Sequence, residues 1–203
     1  MERRFSMGKT LMRLTLLLLL PLGLILGCGE MGKVDQGRVI AYDKDKGIVT
    51  LIQDKKAEPG NPDYNTLPPH QYSVPKDPQE MGPEPKAGYR MKLDTKAKEI
   101  VIFDPGAQNF KTISYTLIDQ KEGVAKDDPL VAGKTFPMVD KAKKTITIYS
   151  GRQKILTTFS LPDEYLELPP QTWDAGDEVR VYYKEPGKAL RLMNISKTDI
   201  FKK

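Results

Sequence analysis

The sequence predicts a mainly β protein, made of two tandem, small antiparallel β-barrel-like repeats after an apolar N-terminal segment. Short runs rich in β-branched and aromatic residues alternate apolar and polar positions, and Pro, Gly and Asp turn signals separate them. No long stretch after the N-terminal segment has the periodicity of an amphipathic helix. The same order of motifs also occurs twice along the chain. These three observations favour β-barrels or a sandwich.

The N-terminal segment has the pattern of a secretory signal peptide. Residues 1–13 carry four basic residues and one acidic residue, and residues 14–26 are almost wholly apolar. A positive region followed by a short apolar region is typical of export signals. The apolar run is shorter than the roughly 20 residues that a membrane-spanning helix needs. We therefore expect a cleaved signal peptide over residues 1–27.

The end of this segment reads Ile25-Leu26-Gly27-Cys28. It resembles the lipobox of bacterial lipoproteins, although that family more often has a small residue where Leu26 stands. The resemblance implies cleavage after Gly27, a diacylglyceryl thioether on Cys28, and usually a third acyl chain on the new amine. Cys28 is the only cysteine, so the chain has no internal disulfide. The alternatives are an uncleaved anchor or cleavage at another position.

The rest of the chain is organised by an internal repeat. A tether, 28–36, precedes a first β repeat, 37–120, a polar linker, 121–132, and a second β repeat, 133–203. The matching segments, in chain order, are 37–43 with 133–140, 48–52 with 145–149, 72–75 with 159–162, 87–93 with 175–181, and 99–103 with 189–193. Because the matches follow one another in the same order, chance is a weaker explanation than duplication.

Each copy reads as five antiparallel strands with a larger excursion between the third and the fourth. This pattern favours an OB-type barrel, while an SH3-like barrel or one continuous sandwich fits nearly as well. The run 112–118 is an additional apolar segment, predicted to be a sixth strand that joins the halves. Lipobox and two β repeats together resemble an uncharacterised lipoprotein family of sulfate-reducing bacteria.

Charge and motifs exclude several classes of function. The chain has 32 basic and 27 acidic residues, and without the signal peptide 28 and 26 remain. Since this balance is nearly neutral and the charges are interleaved, nucleic-acid binding is not expected. Residues 43–47 resemble the start of a calcium loop but lack its Gly and Glu at the required positions, so a hairpin turn explains them better.

Catalytic, cofactor and metal residues are not predicted. His70 is the only histidine, and its Pro-rich surroundings are typical of a surface loop. A histidine base needs a nucleophile or an orienting acid beside it, and no neighbour in sequence supplies one. No Cys/His set remains for zinc, and no nucleotide-binding or nucleophile-elbow motif occurs.

Aromatic and arginine residues of the second copy are the candidate ligand contacts. The proposed contacts are Trp173, Arg180 and Tyr182, because Trp, Tyr and Arg are enriched at binding hot spots. In an OB-type barrel, the binding face would instead involve Tyr149, Arg152 and Phe159. The favoured alternative is structural: Trp173 fills the barrel core, and the tyrosines border it.

These observations predict a membrane-anchored envelope lipoprotein that acts as a non-enzymatic binding or assembly module facing the periplasm. Its partners would be the membrane, through lipidated Cys28, and an unknown envelope protein or glycan. Gly29 follows the cysteine, whereas retention in the inner membrane commonly uses Asp there, so the resemblance implies the outer membrane. The alternative function is a hydrolase of an envelope polymer.

Overall fold

The computed structural model describes residues 31–58 and 61–198, and this part of the chain is mainly β, as predicted. The predicted signal peptide, its cleavage position at Gly27 and the lipidation site Cys28 lie outside the described residues. From Lys33 onward the chain forms one unit. None of its described helices is long and apolar enough to cross a bilayer.

Twelve strands are described, joined mostly by tight turns. They are β1 (Lys33–Asp43), β2 (Ile48–Gln53), β3 (His70–Ser73), β4 (Arg90–Asp94), β5 (Glu99–Asp104), β6 (Asn109–Ser114), β7 (Thr116–Glu122), β8 (Met138–Asp140), β9 (Thr145–Ser150), β10 (Ile155–Ser160), β11 (Glu178–Tyr183) and β12 (Ala189–Asn194). A one-turn helix, α1 (Asp163–Leu166), and the 3-10 turns Pro78–Glu80 and Pro170–Trp173 complete the described elements.

The strands form three sheets, whose ladders are all antiparallel. The five-stranded sheet has the order β12-β11-β1-β2-β3, the four-stranded sheet β7-β10-β9-β8, and the three-stranded sheet β4-β5-β6. Tyr115 alone separates β6 from β7, so one nearly continuous stretch of chain serves two sheets. This stretch contains the run 112–118, which the sequence predicted as a connecting strand.

The repeat is visible in the strand order, but the two copies do not form two separate barrels. β1–β2–β3 and β8–β9–β10 are equivalent three-strand meanders, while β4–β5 and β11–β12 are equivalent hairpins. The hairpin of the second copy pairs with the meander of the first, with Gly37 opposite Val179. The antiparallel β class is as predicted, but the described residues contain no closed barrel, because local alternation predicts strands and not which distant edge each strand joins.

The segments that lead into β4 and β11 cross each other at two glycines that match in the repeat, Gly88 and Gly176. The amide of Asp177 donates to the carbonyl of Lys86 (2.7 Å) beside this crossing. A Cβ on Gly88 would lie 2.3 Å from the nitrogen of Gly176, and a Cβ on Gly176 would lie 2.4 Å from the carbonyl oxygen of Val39. Only glycine permits two backbones to approach this closely.

Two predicted boundaries also change. β1 begins at Lys33, so the second half of the predicted tether 28–36 is strand, because residues 33–36 pair with β11. The predicted linker 121–132 connects β7 to β8 within the four-stranded sheet, and it packs Val124 and Val131 into the protein.

The five-stranded sheet curls but does not close. β3 meets the start of β12 at an isolated parallel bridge, Ser73 with Lys188, and no continuous ladder joins these two strands in the described residues. A partly open five-stranded barrel is compatible with the OB-type alternative. Its inner face buries an apolar core comprising Val39, Val49, Leu51, Tyr72, Val179, Val181, Ala189 and Leu192.

Two further cores fill the rest of the unit. The larger one lies between the three-stranded and four-stranded sheets and includes Ile100, Ile146, Phe159 and Trp173. The smaller one is made of Ile40, Ile52, Tyr64, Met91 and Phe103. It joins β1 and β2 to β4 and β5, so that β1 is covered on both faces.

Candidate ligand-binding site

A cavity of about 710 Å³ opens beside the smaller core. β1, the loop before β3, β4, and the β9–β10 turn all contribute residues to its lining, so the cavity depends on both copies of the repeat. Five of the lining residues are cations and one is a carboxylate: Arg38, Lys56, Arg90, Lys92 and Arg152, with Asp63. We call this space the arginine cavity.

Arg38 is fixed at the base of the arginine cavity because β1 is covered on both faces. The residue is 9% exposed. Its Nη1 donates to the carbonyl oxygens of Arg90 and Met91, both at 2.9 Å. The guanidinium carbon lies 4.2 Å from the centre of the Tyr64 ring, a cation–π distance. Among the described residues, neither the Arg38 Nε nor the Tyr64 hydroxyl has a hydrogen-bond partner, although both are buried.

Arg90 is a second buried guanidinium in the same wall. It is 7% exposed, and its Nε donates to the carbonyl oxygen of Trp173 at 2.9 Å. No carboxylate of the described residues lies within 4.0 Å of the Arg38 or Arg90 guanidinium. Burial lowers the pKa of Arg38, and burial together with the charge of Arg38 lowers the pKa of Arg90 to about 9. The protein alone therefore leaves these two charges incompletely compensated.

Arg152 lies at the mouth of the arginine cavity, and Glu178 holds it from outside the lining. The Arg152 guanidinium, on the turn between β9 and β10, forms an ion pair with the carboxylate of Glu178. Glu178 also accepts a hydrogen bond from the side chain of Gln36. The Arg152 side chain is 37% exposed and that of Glu178 is 10% exposed. Arg152 can thus reach a bound molecule, whereas Glu178 holds it in place.

A separate polar cluster surrounds Asp35 on the inner face of the five-stranded sheet. The Asp35 carboxylate contacts His70 Nδ1 at 2.7 Å and accepts hydrogen bonds from Gln53 Nε2 at 3.2 Å and from the Tyr72 hydroxyl. The Tyr183 hydroxyl lies 3.5 Å away. Burial, as the larger cause, and the hydrogen bond to Asp35, as the second, raise the pKa of Tyr72.

The surroundings of His70 differ from the predicted surface loop. His70 begins β3, and strand pairing brings an orienting acid, Asp35, to it from 35 positions away. However, the hydroxyls that contact this carboxylate within the described part of the chain belong to Tyr72 and Tyr183. The described residues thus place no activated nucleophile at this cluster. They also contain no group of three or more His, Cys, Asp or Glu side chains that could hold a metal ion.

The predicted ligand contacts do not form one surface. Trp173 is fully buried in the larger core, in agreement with the structural alternative. Arg180 is exposed on β11 and donates to Gln36 Oε1 at 2.8 Å, and Tyr182 is half-buried on the same strand. Neither lines the arginine cavity, and their contact with a ligand stays a prediction.

The OB-type alternative named two residues of this cavity. Tyr149 and Arg152 line it, whereas Phe159 is fully buried in the larger core. Sequence reasoning missed Arg38, Arg90 and Tyr64. The available signal was Arg38 itself, a lone cation in the run Gly37–Ala41 that is otherwise apolar or small.

Comparisons with known proteins give a family but no activity. A family model described as "Domain of unknown function (DUF4881)" matches residues 30–203. No curated protein matches the chain significantly. No solved structure does so either.

Proposed function

The chain belongs to the DUF4881 family, a domain of unknown function, and from its own residues we propose that it is a lipid-anchored envelope protein that binds a ligand in the arginine cavity without transforming it. The anchor would be Cys28, acylated after cleavage behind Gly27, on the outer membrane and facing the periplasm. This proposal makes the chain a non-enzymatic binding module, whose partner is an envelope glycan or protein.

The observation that carries the proposal is a cavity with buried donors that have no acceptor. Buried polar groups in folded proteins nearly always have partners, and an exception calls for an explanation such as a missing ligand. Arg38 Nε and the Tyr64 hydroxyl are two such exceptions in the described residues, and both residues line the same cavity. A bound molecule would supply the acceptors.

Binding is favoured over catalysis by what the arginine cavity contains. Its lining includes Ser150 and Ser196 but not His70, the only histidine of the chain. A serine without a neighbouring base is a weak nucleophile. The hydrolase alternative would instead depend on Asp35 and His70, where Gln53 and Tyr72 already donate to the carboxylate.

Site-directed crosslinking in intact cells tests the binding site. A photo-reactive amino acid replaces Asn65, an exposed residue of the cavity lining, and in a matched variant it replaces Lys76, which is exposed but does not line the cavity. We expect a discrete adduct from position 65 that position 76 does not give. Identical products from both positions, or none from position 65, would contradict the proposal.

Detergent partitioning tests the anchor. We expect the wild-type chain to enter the detergent phase, and the Cys28→Ser variant to lose its acyl chains and move to the aqueous phase or remain uncleaved. Two or more acyl chains suffice for stable anchoring, at about 0.8 kcal/mol for each buried methylene. The idea of lipidation is wrong if mass spectrometry finds the same unmodified N-terminal peptide in both proteins.

A further inference from the structure

We propose that the ligand of the arginine cavity carries an oxyanion, a carboxylate or a phosphate, which binds Arg38 and Tyr64 at the base of the cavity and Arg152 at its mouth. The inference rests on the proposed function and adds the chemical class of the ligand. It follows from charge balance, from the geometry of the donors, and from the size and polarity of the space.

The charge balance of the lining favours an anion. Of the five cations, Lys92 is paired with Asp94 (2.9 Å) and Arg152 with Glu178. Arg38 and Arg90, the two most buried, have no carboxylate within 4.0 Å among the described residues. A buried charge without a partner is costly to the folded state. An anionic group placed between the cavity and Arg38 would compensate that cost.

The donors have the geometry that oxyanions use. Because Nη1 of Arg38 is occupied by two carbonyl oxygens, the guanidinium cannot rotate freely, and its buried Nε has no acceptor among the described residues. Planar guanidinium edges bind carboxylates and phosphates through paired hydrogen bonds. The Tyr64 ring packs against the same guanidinium, and its buried hydroxyl is a further donor without an acceptor among the described residues. A neutral ligand would satisfy the hydroxyl but would leave the guanidinium charge uncompensated.

The rest of the lining favours a small molecule with hydroxyl groups. A volume of about 710 Å³ lies within the roughly 300–1,000 Å³ that is usual for small-molecule sites. Side-chain amides and hydroxyls line the space around the cations: Asn61, Asn65, Gln153, Ser150 and Ser196. Such groups pair well with hydroxyls. A sugar acid or a sugar phosphate, free or as a unit of an envelope polymer, combines hydroxyls with an oxyanion.

Calorimetric titration of the full chain in a non-ionic detergent tests this inference. The probes are glucuronate, glucose 6-phosphate, inorganic phosphate and neutral glucose. We expect at least one oxyanion to bind with one-to-one stoichiometry, at least about ten-fold more tightly than glucose, because hydrogen bonds to a charged group are worth about 1.5–3 kcal/mol. Binding should also weaken as salt is raised. Binding of inorganic phosphate alone would indicate that the oxyanion is sufficient.

Substitutions of single arginines test whether the anion binds in the arginine cavity. Arg38→Gln changes a buried group and can unfold the protein, so the decisive variant is Arg152→Gln at the exposed mouth. We expect Arg152→Gln to lower the affinity for the anion at least about ten-fold. Arg180 is exposed and lies outside the cavity, so Arg180→Gln should leave this affinity unchanged. Equal losses in both variants would indicate general charge attraction and overturn the inference.

The two proposals fail in different ways. If none of the anions binds, or glucose binds as well as glucuronate, the oxyanion inference is wrong. A position-65 adduct would still support a binding function for the cavity in that case. If the adduct is absent as well, both proposals are wrong, and the buried arginines serve only to hold β1 against β4.

Discussion

Strand β1 carries a buried acid on one face and a buried base on the other. Asp35 and Arg38 are separated by an odd number of positions, so their side chains point to opposite faces of the strand. Asp35 is surrounded by donors from β2 and β3, and Arg38 by carbonyl acceptors from β4. The Asp35 carboxylate is thus surrounded by donors, whereas the Arg38 guanidinium keeps a buried Nε without an acceptor among the described residues.

The hydrogen bond from Tyr72 to Asp35 should contribute measurably to stability. We expect Tyr72→Phe to lower the free energy of unfolding by about 1.5–3 kcal/mol at pH 7, since it removes a donor from a buried carboxylate. The control is Tyr115→Phe, because the equally buried Tyr115 hydroxyl lies 3.5 Å from its acceptor. It should stay within about 0.5 kcal/mol of wild type. Urea denaturation measures both, and equal losses would contradict the role given to Asp35.

Tyr72 also determines how the free energy of unfolding changes at high pH. Burial and then the bond to Asp35 raise the pKa of Tyr72, so the folded protein keeps this proton where an unfolded tyrosine loses it. The resulting stability is fully present below about pH 10 and is lost as pH rises further. Wild type should therefore lose its advantage over Tyr72→Phe above that pH.

The burial of Trp173 indicates that this side chain stabilises the core and does not contact a ligand. We expect Trp173→Ala to cost about 3–5 kcal/mol of unfolding free energy, because the side chain is fully buried in the larger core. Tyr182→Ala, on the half-exposed side of β11, should cost about 0.5 kcal/mol or less. Thermal or urea unfolding compares the two. A large loss in Tyr182→Ala would show that its ring is part of the core.

At the scale of single elements, the point where the segments of Gly88 and Gly176 cross should tolerate no side chain larger than that of glycine. Gly88→Ala places a methyl group against the backbone of the other crossing segment, at 2.3 Å, where no flexible side chain can move away. We expect a loss of at least about 3 kcal/mol or a failure to fold. Gly151→Ala is the control, since its Cβ would meet only the Tyr149 ring at 3.6 Å. Similar melting temperatures for the two variants would contradict this description of the crossing.

Strands and turns were predictable from the sequence where residues close together in the chain determine them. The turns after β1 and β8 follow from Asp43 and Asp140, whose side chains accept hydrogen bonds from Lys46 and Lys143. Most strand positions follow from alternation in the same way. The pairing of β1 with β11 joins residues more than 130 positions apart, and the arginine cavity brings Arg38 of the first copy to Arg152 of the second. A single sequence carries no local signal for such pairs.

At the scale of the whole molecule, the pairing of β11 from the second copy with β1 from the first should make the unit from Lys33 onward unfold in one step. Leu192→Ala lies in the core of the five-stranded sheet, yet it should shift the transition reported by the fluorescence of Trp173 in the larger core. We expect a loss of about 2–5 kcal/mol, equal by fluorescence and by circular dichroism. A Trp173 transition that does not respond to Leu192→Ala would show that the halves unfold independently.

The pairing of β1 with β11 also determines when β1 can gain its second partner strand during synthesis. Gln36 on β1 and Glu178 on β11 are hydrogen-bonded neighbours, but they lie 142 positions apart. At roughly 5–20 residues per second, the ribosome needs on the order of ten seconds to make the partner of β1. Until then one edge of the first strand is open, and an open edge invites pairing with other chains. This edge of β1 is therefore a site of possible mispairing for as long as β11 has not been made.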